Sequence, residues 1–136
     1  IALSPDGAWL VYVSDETGRD EVYVRPFPDV DAGKRTVSTS GGGMPLWSRS
    51  GDAIFYVNAA DEMMEARVAT APTFTVLDRE MLFPIGPGFR QSDEYTLYDV
   101  SPDDRRFLML RLEARETRKL ILVLNWLEDL KERVPT

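Results

Sequence analysis

The chain is 136 residues long, 43% hydrophobic, with 23 acidic against 16 basic residues and a net charge of -7. That is enough chain for a domain with a real core, and the negative charge argues against a nucleic-acid backbone as partner. It has no Cys and no His, which excludes disulfides, thiol nucleophiles, a self-contained Ser-His-Asp triad, His-ligated zinc and imidazole acid–base chemistry.

The chain opens on Ile1 without Met, a basic leader or a signal-like apolar stretch, which points to a processed or excised piece. No apolar run approaches the ~20 residues of a membrane span, and the longest, Leu120 to Leu124, has strand length.

In chain order, the first signal is Leu3-Ser4-Pro5-Asp6-Gly7. It reads as a turn in which Pro presets φ, Gly takes the positive φ, and the Ser and Asp side chains bond nearby amides. Alternating Trp9 to Val13 follows, then polar Asp15 to Asp20, then alternating Glu21 to Arg25. Pro26, Pro28, Asp29, Asp31 and Gly33 break the chain before a short outer strand over Lys34 to Thr39. Gly41-Gly42-Gly43 reads as a flexible passage, and without a following Gly-Lys-Ser/Thr and helix it is not a phosphate loop. The second unit has strands over Met44 to Trp47, Ala53 to Val57, Met63 to Ala69 and Phe74 to Leu77, with an extended link from Gly86 to Glu94. The third has Tyr95 to Val100, Arg106 to Leu112 and Lys119 to Leu124. Asn125 then has the character of an N-cap, and Trp126, Leu127, Leu130 and Val134 fall on one face of a short helix over about 126–134.

The turn recurs as Trp47-Ser48-Arg49-Ser50-Gly51 and Val100-Ser101-Pro102-Asp103-Asp104, at spacings of 44 and 53 residues. Strand-rich repeats of ~40–50 residues are the signature of propeller blades. The chain is therefore predicted to be all-β, a single segment over 1–136 made of three consecutive β-propeller blades. The blades are about 1–40, 41–85 and 95–124, with innermost strands near 1–3, 44–47 and 95–100. Leu10/Tyr12, Ile54/Tyr56 and Phe107/Met109 follow the three turns and are expected to be core, because one side chain in two lies between neighbouring blades. Trp47 is expected to be core as well. Propellers close with about 4–8 blades, so three leave two raw edges for missing blades or a second chain to cover. A two-fold homodimer would complete six blades, and an isologous assembly closes where head-to-tail addition does not.

Catalytic chemistry finds little support. Asp6 and Asp103 are turn formers, and Ser50 takes their position in the second copy. Asp93-Glu94 and Asp103-Asp104 are adjacent carboxylates, which on a strand point to opposite faces and cannot pair as glycosidase acids. In Asp29-Val30-Asp31-Ala32-Gly33 the Gly comes one position early for a calcium loop, and Ser40 stands where its Glu is needed. No catalytic group, metal or cofactor is assigned. The candidates for partner binding are Arg90, Tyr95, Tyr98 and Asp99, on the link and innermost strand of the third repeat, where a propeller lines its central mouth.

Ser4-Pro5-Asp6-Gly7, Trp47-Ser48 and Glu21-Val22-Tyr23-Val24 resemble the TolB-type, WD-repeat-like propeller repeat, and the resemblance spans nearly the whole chain. The chain departs from that pattern with Arg49-Ser50 in place of Pro-Asp and Asp104 in place of Gly. Val22 to Pro28, Tyr98 to Asp103 and Leu124 to Lys131 are similar to the C-terminal end of a bacterial group. In that group a Ser/Thr kinase-like domain is followed by a membrane span and a propeller. No kinase motif is present in this chain. The resemblance implies a non-enzymatic, extracytoplasmic or periplasmic segment that binds protein or peptide, the sensing end of a membrane receptor. The alternative is an accessory propeller of a prolyl-oligopeptidase-like hydrolase. A third reading, a lectin-like or lactonase-like propeller enzyme, needs metal or paired acids that the sequence does not assemble.

Overall fold

A computed structural model of the chain describes residues 1–85, 97–112 and 118–123. The link expected over 86–94 and the helix expected over 126–134 lie outside the described residues.

Every regular element among the described residues is a strand. β1 (Ala2–Leu3), β2 (Trp9–Ser14), β3 (Glu21–Pro26) and β4 (Arg35–Thr36) form one sheet in that order. β5 (Gly43–Trp47), β6 (Ala53–Val57), β7 (Glu62–Ala69) and β8 (Thr75–Pro84) form the second. β9 (Tyr98–Val100), β10 (Phe107–Leu112) and β11 (Arg118–Val123) form the third. Pairing is antiparallel throughout, and each strand lies beside its neighbour in sequence, because short turns can join only antiparallel strands. The innermost strands β1, β5 and β9 fall at the expected places. The outermost strands differ from expectation. β4 is only two residues long, while β8 runs on to Pro84, where it pairs with Glu62.

The core is two layers between three sheets. One layer joins Val11, Val22, Val24 and Val37 of the first sheet region to Trp47, Ile54, Tyr56, Ala66, Val68 and Phe74 of the second. The other joins Phe55, Val57, Met63 and Leu82 to Tyr98, Val100, Phe107 and Met109. The central sheet is thus covered on both sides, and every residue of β6 is buried.

This arrangement confirms four of the six expected core residues and corrects two. Ile54, Tyr56, Phe107 and Met109 are 0%, 1%, 0% and 3% exposed. Leu10 and Tyr12 are only half-buried, and it is Val11 between them that is fully enclosed. The physical reason is the face. Each repeat turns its Ile54-type side toward the preceding sheet, and the first sheet has none before it among the described residues.

The triple glycine is also not a loose passage. Gly42 N donates to Asp20 O at 2.9 Å and Gly41 N to Glu21 Oε1 at 3.1 Å. Glu21 is buried, and also accepts from the Ser38 hydroxyl and from Arg19 Nε. A Cβ on Gly42 would lie 2.8 Å from Ser38 Cβ and 3.0 Å from Val22 Cγ2. Glycine is required there by close packing, and at Gly41 also by a φ of 81°.

Trp47 is 7% exposed and meets Phe74 edge-on at 6.5 Å between ring centroids. Its Nε1 is buried without a hydrogen-bond partner. Trp47→Ala should cost about 3–5 kcal/mol in urea denaturation. Trp47→Phe should cost markedly less, because it keeps an aromatic ring and removes the unpaired N–H.

Candidate functional site

The three repeat turns share one bonding scheme. In the first, Ser4 N donates to Trp9 O at 2.8 Å, Gly7 N to Ser4 O at 2.9 Å and Trp9 N to Ser4 Oγ at 3.0 Å. Ser4 Oγ and Ala8 N both donate to Asp6 Oδ1, at 2.5 and 3.0 Å. Ser101, Asp103, Arg105 and Arg106 repeat the scheme in the third turn. The second turn has Ser50 at the Asp position, and Asp52 supplies the carboxylate instead, accepting from Ser48 Oγ at 3.1 Å and Ser50 Oγ at 2.5 Å. The Ser4 hydroxyl and then the Ala8 amide hold the Asp6 carboxyl below its ordinary range. The Ser101 hydroxyl and the Arg105 amide do the same for Asp103.

Where the repeat is broken, the second and third turns are bolted together. Asp104 occupies the glycine position with φ 58°. Its Oδ1 accepts from Arg49 N at 2.6 Å and its Oδ2 from Ser50 N at 3.2 Å. The Arg49 side chain reaches on, and its Nη2 donates to Asp99 Oδ1 and to Val100 O, both at 3.1 Å. The two departures are complementary: a Pro at 49 would have no N–H to give, and a Gly at 104 no carboxylate to receive it. The first and second turns lack this bond, because Pro5 and Gly51 stand at the facing positions. A space of about 340 Å³ opens between those turns, lined by Ser4, Pro5, Asp6, Ser50, Gly51 and Thr70.

Two of the four residues singled out in the sequence are described, and β9 points them in opposite directions. Tyr98 is 6% exposed, and its hydroxyl lies 2.6 Å from Met44 O and 3.1 Å from Phe55 O. Burial pushes its phenol well above the ordinary value. Tyr98 thus fastens the third sheet to the second and has little surface to offer a partner. Asp99 is exposed and held by Arg49. Arg90 and Tyr95 lie outside the described residues. Sequence reasoning missed Arg49 and Asp104 as working residues, although both were visible as departures from the repeat.

Two further surfaces stand out. The outer face of the first sheet carries Leu3, Leu10, Tyr12 and Arg25, with Tyr23 on the same face but only 2% exposed. Tyr12 and Tyr23 stack at 5.8 Å, Arg25 Nε donates to the Tyr12 hydroxyl at 2.8 Å, and Lys34 Nζ lies 4.9 Å over the Tyr23 ring while pairing with Glu16. At the far side of the molecule, Leu108 on β10 is 41% exposed. The second surface is a cleft of about 170 Å³ at the outer junction of the first two sheets. Its walls are Trp9, Val24, Pro26, Pro72 and Phe74, and Gly33, Lys34 and Arg35 lie at one side. The Trp9 and Phe74 rings are 5.3 Å apart.

No protein-family model and no curated protein matches the chain. Solved structures do match in fold. An oligogalacturonate lyase from Vibrio parahaemolyticus is 15% identical with a TM-score of 0.60, matching 84% of this chain and 28% of its own. An oligogalacturonate lyase in complex with manganese is 14% identical with a TM-score of 0.64, over 91% of this chain and 36% of its own. A TolB-type protein from Agrobacterium tumefaciens is 11% identical with a TM-score of 0.59, over 91% of this chain and 44% of its own. The chain spans less than half the length of each of these neighbours. At such identities the likeness concerns fold alone, and the fold is that of consecutive β-propeller blades, part of a propeller.

Asp104→Ala should cost about 1–2 kcal/mol, because it leaves two turn amides without their charged acceptor and keeps a non-glycine residue at positive φ. Asp104→Gly should recover the backbone part of that loss only, and urea midpoints of the two variants separate the contributions. Acid should loosen the turns too. The folded-state carboxyl values of Asp6 and Asp103 are depressed, so their stabilisation is present above the unfolded value near 4 and is lost as pH falls through the folded values. The melting temperature should drop on acidification below about pH 4, and Asp6→Asn with Asp103→Asn should flatten that drop.

Proposed function

We propose that this chain is a non-enzymatic, TolB-like propeller segment that binds protein or peptide. The observation that carries the reading is the stacking face of the first sheet, against which no other sheet packs among the described residues. Leu10 and Tyr12 occupy the repeat positions that are sealed in the second and third sheets, yet they are half-buried. A sheet face with this apolar content is built to be covered.

The first partner in this reading is a second copy. Each copy would seat its Leu108 side on the Leu10-Tyr12 side of the other, repeating the contact already made twice within the chain and giving six blades about a two-fold axis. The polar groups at the edge of the Tyr12 face are paired within the chain, Arg25 with Tyr12 and Val30 O, and Lys34 with Glu16. Burying that face therefore asks little of the partner beyond apolar contact. The resemblance to kinase-linked bacterial propellers supports placing the segment at the extracytoplasmic sensing end of a receptor. The absence of His and Cys supports a binding role over catalysis.

Panning the immobilised chain against random displayed peptides should enrich a defined class, and the chain should not turn over oligogalacturonate, glycosides or lactones. Turnover above background without peptide enrichment would overturn the reading. Sedimentation equilibrium should give twice 15.4 kDa, reverting to monomer in Leu108→Arg. A wild-type chain that remains monomeric across the concentration range removes the pairing but not the peptide binding.

A further inference from the structure

Resting on the peptide-binding reading, we infer that the cleft between the first two sheets is the recognition site, taking an extended peptide that presents one apolar side chain and, two residues on, a carboxylate. At about 170 Å³ the cleft is smaller than the roughly 300–1,000 Å³ of sites that enclose whole small molecules. It fits a single side-chain anchor. Its walls are chemically those of an anchor pocket: Trp9 and Phe74 with centroids 5.3 Å apart, flanked by Pro26 and Pro72.

The charge at the mouth gives the second half of the specificity. Among the ten lining residues there are two cations, Lys34 and Arg35, and no acid. Lys34 is engaged by Glu16. Arg35 is exposed, makes no ion pair among the described residues, and its Nη1 reaches only the carbonyl of Lys34 at 3.3 Å. In a chain of net charge -7, an unpaired guanidinium beside an aromatic pocket selects an anionic group on the ligand.

The backbone supplies the third element. β4 (Arg35–Thr36) is the outer strand of its sheet and among the described residues pairs as a strand with β3 alone, with Arg79 Nε donating to Val37 O just beyond it. An extended peptide can lie along that edge, with one side chain in the cleft and the carboxylate two residues on, which falls on the same face, at Arg35. The mode needs no movement of the sheets.

Gly33 makes the inference testable. It lines the cleft, and a Cβ there meets nothing within 4 Å, so Gly33→Leu adds bulk at the rim without a clash with the fold. Fluorescence anisotropy would compare labelled Ser-Leu-Asp-Glu-Ser with labelled Ser-Leu-Lys-Lys-Ser. The acidic peptide should bind at least tenfold more tightly than the basic one. Gly33→Leu and Arg35→Glu should each weaken it at least tenfold, with circular dichroism and melting temperature unchanged. Equal binding of the two peptides, or full binding by a folded Gly33→Leu, overturns the assignment. If peptides enriched by panning bind wild type and Gly33→Leu alike, the chain is a peptide binder whose site lies elsewhere. If no peptide binds at all, both readings fall.

Discussion

Both faces of β6 are buried, and the rest of the molecule is organised around that fact. Ile54 and Tyr56 look toward the first sheet, while Phe55 and Val57 look toward the third, each at 0–1% exposure. A strand with one wet face would alternate apolar and polar residues; this one cannot afford a polar residue at any position. Sheet-on-sheet packing is therefore the main source of cohesion, and the hydrogen-bonded meanders mostly supply surfaces for it. The same contact fixes which residues work at the ends of the stack. The positions that seal the middle sheet are the ones left open on the first.

Among the described residues, polar fasteners hold the sheets and the passages between them at a few points. Tyr98 reaches two carbonyls of the second sheet. Arg79 Nε donates to Val37 O at 2.6 Å, tying β8 to the segment after β4. Asp104 binds the amides of Arg49 and Ser50. Glu21 holds Ser38 and the glycine passage, and although burial opposes its charge, the bonds from Ser38, Gly41 and Arg19 keep its carboxyl below the ordinary range. Directional bonds of this kind help fix a mutual register that apolar faces alone leave loose.

The repeat turn made the architecture legible in the sequence because it marks the passage from innermost to second strand three times over. What the sequence could not show was which side of each strand would be covered. Trp9 to Val13, Ala53 to Val57 and Phe107 to Leu110 are apolar on both faces, so period-two reasoning has no contrast to read. Leu10 and Tyr12 were expected in the core on that basis, and the end position of their sheet leaves them half-covered. The glycine passage was misread for a related reason: local composition reports freedom of φ, not the approach of Ser38 and Val22 that takes the freedom away. Of the candidate site, Asp99 lies at the surface and Tyr98 between sheets, because neighbours on a strand point in opposite directions. The outer cleft joins Trp9, Arg35 and Phe74, which lie far apart in sequence, and only the stacking of sheets brings them together.

Glu65 shows how the same stacking shapes the electrostatics. It lies opposite Phe55 in the β6–β7 register, on the side that faces the third sheet, and opposite Glu80 across β7–β8. Burial first, and then the Glu80 charge, push its carboxyl above the ordinary range. A raised carboxyl in a cleft is a common mark of a general acid, but the packing explains this one without chemistry, since desolvation and a like charge act in the same direction. Its linkage is opposite in sign to that of Asp6, Asp103 and Glu21. Its charged form weighs against folding above its folded value, and that penalty is relieved as pH falls, whereas the depressed carboxyls lose stabilisation over a lower range. Mild acid thus relieves the Glu65 penalty before stronger acid releases the turns. Among the described residues the shifted carboxyls include two groups of opposite sign: Asp6 and Asp103 held by the turns, and Glu65 raised by burial beside Glu80.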